Sequence, residues 1–286
     1  MSSGRIGILG GSGLYEMDGL SGLTEETLET PFGTPSDAFM LGTIEGREVV
    51  FLARHGRGHL VSPSEINYRA NIWGMRKLGV DFLVAISACG SLRENIRPGD
   101  FVLVDQHIDR TKNRAATFFE DGVVAHVMFA DPVTPALVTL LADAAEKTGT
   151  TVHRGGTYVC MEGPAFSTRA ESALYRSWGA DVIGMTNLTE AKLAREADLA
   201  FATLALATDY DCWREGHDDV TVEQVIRTLQ KNVENAKTTV RHLCADFPED
   251  FANPHRGNIA SAILTDPSRI PEAARTRLAL FLGEST

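Results

Sequence analysis

Asp209 and Asp211 stand two residues apart where a nearly unbroken apolar run, residues 199–207 (L-A-F-A-T-L-A-L-A), gives way to T-D-Y-D-C-W. A continuous apolar run of that length reads as a strand buried on both faces. In sheets of that kind, ligands gather outside the carboxyl ends of the strands. Paired carboxylates at such an exit suit proton transfer, because burial raises a carboxyl pKa until the group can carry a proton to a basic nitrogen. The same residues also read as a plain Asp-rich turn, since Asp is common in turns.

A second set of residues suits an anion. Residues 5–9 (R-I-G-I-L) read as a first strand that runs into Gly10-Gly11-Ser12-Gly13, where small residues let backbone N–H groups approach an anion closely. This run is neither the dinucleotide fingerprint nor a P-loop, and it also reads as a tight turn without a ligand. Residues 43–52 read as a hairpin turning at Glu45-Gly46, whose second strand ends in Arg54-His55-Gly56-Arg57-Gly58-His59. That loop is either an anion partner or a solvated basic loop neutralising nearby acids. Ser87-Ala88 and Met185-Thr186 add further donors at strand exits.

If Gly11-Ser12-Gly13, Arg54-His55, Ser87-Ala88 and Thr186 converge on a tetrahedral oxyanion while Asp209 and Asp211 face a nitrogen base, the reaction is phosphorolysis of an N-glycosidic bond. Breaking that bond leaves positive charge on the sugar and negative charge on the base. Phosphate then acts as both nucleophile and stabiliser, and a protonated Asp serves the base. No metal and no cofactor are required beyond phosphate as co-substrate.

The elements that must position these groups alternate along the chain. Ser62-Pro63-Ser64-Glu65 reads as a capping box that starts a helix over 63–78, with Ile66 and Trp73 facing inward. Strands are expected at 81–86, 100–104, 156–160 and 181–184, and helices at 135–147 and 190–196. Thr168-Arg169-Ala170-Glu171 caps a helix to 178, and Thr221-Val222-Glu223-Gln224 caps a long one to 243. A last amphipathic stretch covers 271–281, and Asp109-Arg110 reads as a structural ion pair. The pattern implies one α/β domain over 1–286, with a mixed, mostly parallel central sheet flanked by helices. Several strand exits crowd one polar rim of that sheet.

Composition bounds the partners. The 286 residues are 43% hydrophobic and 23% charged, with a formal net charge of -11 and no basic cluster, which argues against nucleic acid or an anionic membrane as partner. No run approaches the ~20 apolar residues of a membrane span, and the start of the chain has no signal-peptide pattern, so a cytoplasmic location is expected. Cys89, Cys160, Cys212 and Cys244 are widely spaced and read as reduced thiols rather than as a zinc or disulfide framework.

Taken in order, the motifs resemble those of the trimeric purine nucleoside phosphorylases, most closely the 5′-methylthioadenosine phosphorylase branch. They are G-G-S-G-L at 10–14, R-H-G-R-G-H at 54–59, N-Y-R-A-N-I-W at 67–73 and A-C-G-S-L-R at 88–93. D-Q-H-I-D-R-T at 105–111, E-G-P-A-F-S-T-R-A-E at 162–171 and A-T-D-Y-D-C-W at 207–213 complete the set, which spans about residues 5–245. The resemblance implies phosphorolysis of 5′-methylthioadenosine to adenine and 5-methylthioribose 1-phosphate by a homotrimer. It implies that Ser12, Arg54, His55, Ser87, Ala88 and Thr186 hold phosphate and that Met185 lines the ribose. Asp209 would protonate N7 and accept from the 6-amino group, supported by Asp211, with Phe166 and Ser167 along the base. His126 of a neighbouring subunit would close the 5′ end with Val222 and Val225, whose apolar contact suits a methylthio group.

Relatives that act on 6-oxopurines place Asn at the position of Asp209 and Glu at that of Ser167. A carboxylate facing a carbonyl sets acceptor against acceptor, at a cost of ~1–3 kcal/mol when buried, so adenine is favoured here. Ser87 stands where Thr is frequent, which keeps the hydroxyl, and Thr189 stands where Pro is common. The tail from about 247 departs from the animal enzymes. The alternatives are a phosphorylase for adenosine, a 5′-halogenated adenosine or methylthioinosine, a hydrolase of the same bond, and a nucleoside-binding protein without activity.

Overall fold

The computed structural model describes residues 4–214 and 222–283; the side chains of Ser12, Tyr15 and residues 222–226 fall outside that description. From the amino end come β1 (Arg5–Gly10), β2 (Ser21–Glu26), the hairpin β3 (Phe39–Ile44) and β4 (Arg47–Ala53), then α1 (Tyr68–Lys77) and the long β5 (Val80–Ser91). β6 (Phe101–Val104) and β7 (Gln106–Arg110) precede α2 (Pro135–Glu146), β8 (Val152–Arg154), β9 (Thr157–Met161) and α3 (Arg169–Ser177). The chain continues through β10 (Val182–Gly184), α4 (Asn187–Glu196), β11 (Ala200–Asp209), α5 (Val222–Asp246), α6 (Asn258–Ala262) and α7 (Glu272–Leu282).

All the strands join one mixed, mostly parallel sheet, with β5 at its centre between β1 and β11 and parallel to both. The period-two alternation of side chains sorts the strands' apolar residues to two faces. Ile6, Ile8, Phe82, Val84, Leu204 and Leu206 pack with Leu137 and Leu141 of α2 and Val240 and Leu243 of α5. Val50, Leu52, Leu83, Ala85 and Phe201 pack on the other face with Ile72 of α1, Leu193 of α4 and Leu278 of α7. Because both faces are covered, the central strands need no polar face; this is why residues 199–207 are apolar without alternation.

Local signals worked where they were self-contained. The β3–β4 hairpin turns at Glu45 and Gly46, both left-handed, with φ of 49° and 79°. Thr168 and Glu171 form the complete reciprocal capping box of α3. The start of α1 differs from expectation: its cap is Asn67, whose side chain accepts from the Ala70 N–H at 3.1 Å. Glu65 does reach back to the Ser62 N–H, but that closes a separate turn. Asp109 pairs with Lys192 at 2.5 Å, and the Arg110 guanidinium lies over the Trp178 ring, so the expected pair between neighbours is replaced by two contacts across the fold. Residues 106–110, to which the sequence assigned no element, form a strand because β9 offers them a parallel edge. Thr221 lies outside the described residues. The tail is packed onto the sheet and its covering helices, with Phe247 and Phe251 against Phe82 and Phe281 against Phe118.

Candidate active site

The carboxyl ends of β4 and β1 lie side by side, since Gly10 pairs with Ala53, and they abut the middle of β5, where Leu9 pairs with Ala85. Gly11-Ser12 and Arg54 therefore leave the sheet together, beside Ser87. That residue lies within β5 and pairs with Ala205 rather than standing at the strand exit expected from the sequence, because β11 continues the ladder past residue 86. Ser12 begins a short 3-10 helix directly after β1; its side chain lies outside the description. The Arg54 side chain turns inward. Its Nε and Nη2 donate to the two carboxylate oxygens of Glu190 at 2.6 and 3.0 Å, its Nη1 to Ile86 O at 2.7 Å, and its Nη2 to Leu9 O at 3.3 Å.

The two arginines of the basic loop thus divide the two readings offered by the sequence. Arg57 is half-exposed and pairs with Glu25 and Asp37, which is a solvated surface role. Arg54 belongs to the buried rim. His55 donates its Nδ1–H to Val61 O at 2.8 Å, because a carbonyl can only accept. Burial pushes its pKa down to about 4, helped by the charge of Arg54 and the stacked His59, so the ring is neutral at physiological pH with Nε2 left over.

Ser87 is buried and its hydroxyl lies 3.1 Å from the Tyr158 hydroxyl. Ala88, next to it, is exposed toward the rim. Thr186 is the N-cap residue of α4, yet its side chain makes no capping bond. It therefore stands at the amino end of a helix, a position whose unpaired N–H groups favour an anion.

The acidic mouth is fixed by strand register. β11 runs parallel to β5 with Leu206 beside Ala88, and an irregularity after Ala207 brings Asp209 opposite Gly90. Asp209 Oδ1 accepts the Asp211 N–H at 2.8 Å, and Oδ2 lies 2.7 Å from the Thr208 hydroxyl, itself 3.1 Å from Cys89 O. This chain suits either protonation state: a proton on Oδ2 can be donated to Thr208, which then donates its own to Cys89 O. Burial raises the pKa of Asp209, and the nearby charge of Asp211 adds to it; Asp211 is raised by burial as well. Asp211 holds a left-handed φ of 51°, a conformation Asp tolerates.

Both carboxylates line a pocket of ≈ 320 Å³ with Phe166, Ser167, Thr168, Arg169 and Cys212. Phe166 is 55% exposed and so available to cover a flat ligand. The Cys212 thiol donates to Ser167 O at 3.3 Å, and the Trp213 indole N–H to Ser91 O at 2.7 Å, tying the mouth to the opposite loop and to β5. Thr168, Arg169 and Cys212 were read in the sequence only as a helix cap and a thiol, although they sit inside the quoted motifs.

Gly90 is the close approach that makes room for this mouth. A Cβ there would lie 3.0 Å from Asp209 Oδ1 and 3.2 Å from the buried Ile183. Gly90→Ala should displace the Asp209 carboxylate by a few tenths of an ångström and lower kcat/KM by roughly ten- to a hundred-fold while the thermal midpoint changes little. A variant with unchanged turnover would show that the carboxylate's position is not critical.

Met185 follows β10, and its sulfur packs over Gly163. Its carbonyl accepts from Arg114 Nη1, whose guanidinium also reaches the Tyr68 hydroxyl at 3.1 Å and donates through Nη2 to Glu162 O at 2.7 Å. Arg114 is a buried strut between the Met185 and Phe166 loops. Lying in a polar stretch without periodicity, it carried no signal in the sequence. His126 is exposed, on the segment bridged to Ile263, and is not among the residues that line the pocket. Val222 begins α5, and the side chains of Val222 and Val225 lie outside the description.

Residues 5–245 match the model of the family described as the phosphorylase superfamily. The chain is 54% identical over 280 residues to the S-methyl-5′-thioadenosine phosphorylase of Koribacter versatilis, covering 98% of this chain and 96% of that protein. It is 57% identical over 287 residues to the enzyme of the same name from Thermosynechococcus vestitus, covering 98% of each. Among solved structures, it is similar to a methylthioadenosine phosphorylase from an antarctic soil metagenomic library, with a TM-score of 0.92 and 45% identity over 99% of this chain and 100% of that one.

Proposed function

The chain belongs to the phosphorylase superfamily, and from that premise we infer that it cleaves S-methyl-5′-thioadenosine with inorganic phosphate, releasing adenine and 5-methylthioribose 1-phosphate. The observation that carries this reading is the β5–β11 register. It sets Ser87-Ala88, at the anion end, beside the strand that ends in Asp209, so phosphate and base can be held on the two sides of one glycosidic bond.

In the reaction, the C1′–N9 bond breaks as a phosphate oxygen bonds to C1′, and the bonding pair leaves with adenine. Asp209 delivers a proton to N7, so the base departs neutral; its raised pKa supports this role. Asp211 orients it through the 2.8 Å N–H bond. Phosphate is held by Ser12, Arg54, His55, Ser87, Ala88 and Thr186, with Met185 along the ribose and Phe166 and Ser167 along the base. Phosphate is a co-substrate, and no cofactor takes part.

The 5′ end is completed in a homotrimer, where His126 of a neighbouring protomer joins Val222 and Val225. The exposure of His126 and of its apolar neighbours Val124 and Met128, 48% and 84% exposed, supports burial of that segment by another copy. No helix among the described residues is long and apolar enough to cross a membrane, and we place the enzyme in the cytoplasm. Purified protein should release adenine from S-methyl-5′-thioadenosine only when inorganic phosphate is present, and the sugar product should carry the phosphate. Release at the same rate without phosphate would make it a hydrolase; no release would remove the substrate assignment.

A further inference from the structure

The carboxylate of Glu190 does not line the pocket and is 2% exposed, on the first turn of α4 just after Thr186. It engages one whole edge of the Arg54 guanidinium, whose side chain is 5% exposed. Four of the five Arg54 N–H groups are thereby committed: two to Glu190, one to Ile86 O and one to Leu9 O. Among the described residues one hydrogen, on Nη1, has no partner and is left for a ligand. A bidentate Arg–phosphate clamp, the usual use of arginine at such sites, would require breaking a buried ion pair.

The charge balance points the same way. Arg54 and Glu190 cancel, and His55 is neutral. The remaining donors of the anion end are hydroxyls and backbone N–H groups, which carry no formal charge. Among the described residues of this rim, phosphate would therefore meet hydroxyl and backbone donors rather than a net positive charge.

We propose that Glu190 is a positioning residue that holds Arg54 in place and cancels most of its charge, so that bound phosphate is oriented without being neutralised and keeps its negative charge for the developing cation on the sugar. This rests on the phosphorolytic reading. A buried guanidinium without its counter-ion would grip a dianion more tightly in the ground state, and binding energy gained there does not lower the barrier.

The test is Glu190→Gln, which keeps size and one acceptor but removes the charge. Phosphate KM should fall by about ten-fold or more, as removal of one nearby charge at an effective dielectric constant of ~20 implies, and kcat should fall with it. A purely structural role would raise phosphate KM, or leave it unchanged while stability drops; either result overturns the proposal. Glu190→Asp, which retains the charge, should keep phosphate KM within about three-fold of the parent, and a ten-fold change there overturns it too, whether or not the Gln variant folds. Thermal stabilisation by inorganic phosphate alone, with no nucleoside, should rank Gln above the parent enzyme. That measurement reports on the Arg54–Glu190 pair even if the nucleoside assignment is wrong.

Discussion

Asp209→Asn should lower kcat with S-methyl-5′-thioadenosine by ~10²- to 10⁴-fold, the range expected when a positioned general acid is removed, while the protein stays folded. The substitution is nearly isosteric. The Asn oxygen can still accept the Asp211 N–H now bound at 2.8 Å, and its amide can still donate toward the Thr208 hydroxyl. What it cannot do is give up a proton to N7. In the parent enzyme the active form is the protonated one, so kcat should fall as pH rises through the raised pKa of Asp209. That limb should be missing from the residual activity of the variant. A further consequence concerns the base: an amide can donate where the carboxylate can only accept, so discrimination against 6-oxopurines should weaken, by up to the ~1–3 kcal/mol that an acceptor–acceptor clash costs. Stopped-flow turnover over a pH series, with circular dichroism as the folding control, checks each point. A kcat within ten-fold of the parent would remove Asp209 from proton transfer.

Arg54→Met should be costly in a different way. It strands the Glu190 carboxylate in a site that is 2% exposed and leaves Leu9 O and Ile86 O without their donor. Breaking a buried pair from one side costs ~3–5 kcal/mol, enough to move the denaturation midpoint by several degrees in a chain of this size. Saturation by phosphate should be lost as well. The double variant Arg54→Met with Glu190→Leu separates the two effects. With no charge left to strand, most of the stability should return, but phosphate-dependent turnover should not. Calorimetry and phosphate titration of the two variants provide the measurement. If the double variant were no more stable than the single one, the pair would not be the source of the loss.

Much of this site was readable from local pattern because its parts are local patterns. The strand at 200–209 was visible as an apolar run too continuous for a half-exposed strand, and its Asp209-Tyr210-Asp211 exit as a place where a carboxylate would be desolvated. The α3 cap was visible because Thr168 and Glu171 satisfy each other within one turn. The start of α1 was misplaced for the converse reason. Two competing caps lay five residues apart, and the winner, Asn67, was chosen by contacts elsewhere: its amide also donates to Phe32 O at 2.7 Å.

By itself, then, the amino-acid sequence determined the α/β layering, the strand exits other than that of β5, which runs on to Ser91, the acidic mouth and, through its ordered motifs, the likeness to nucleoside phosphorylases. Each of these depends on periodicity or on residues within a turn of one another, where spacing along the chain equals spacing in the molecule. Only the tertiary structure decided that Arg54 faces Glu190, 136 positions away, while Arg57 faces solvent. It also decided that Arg114 braces the loops of Met185 and Phe166. Those pairings depend on which strands become neighbours and how deeply each charge is buried, and no local spacing encodes either.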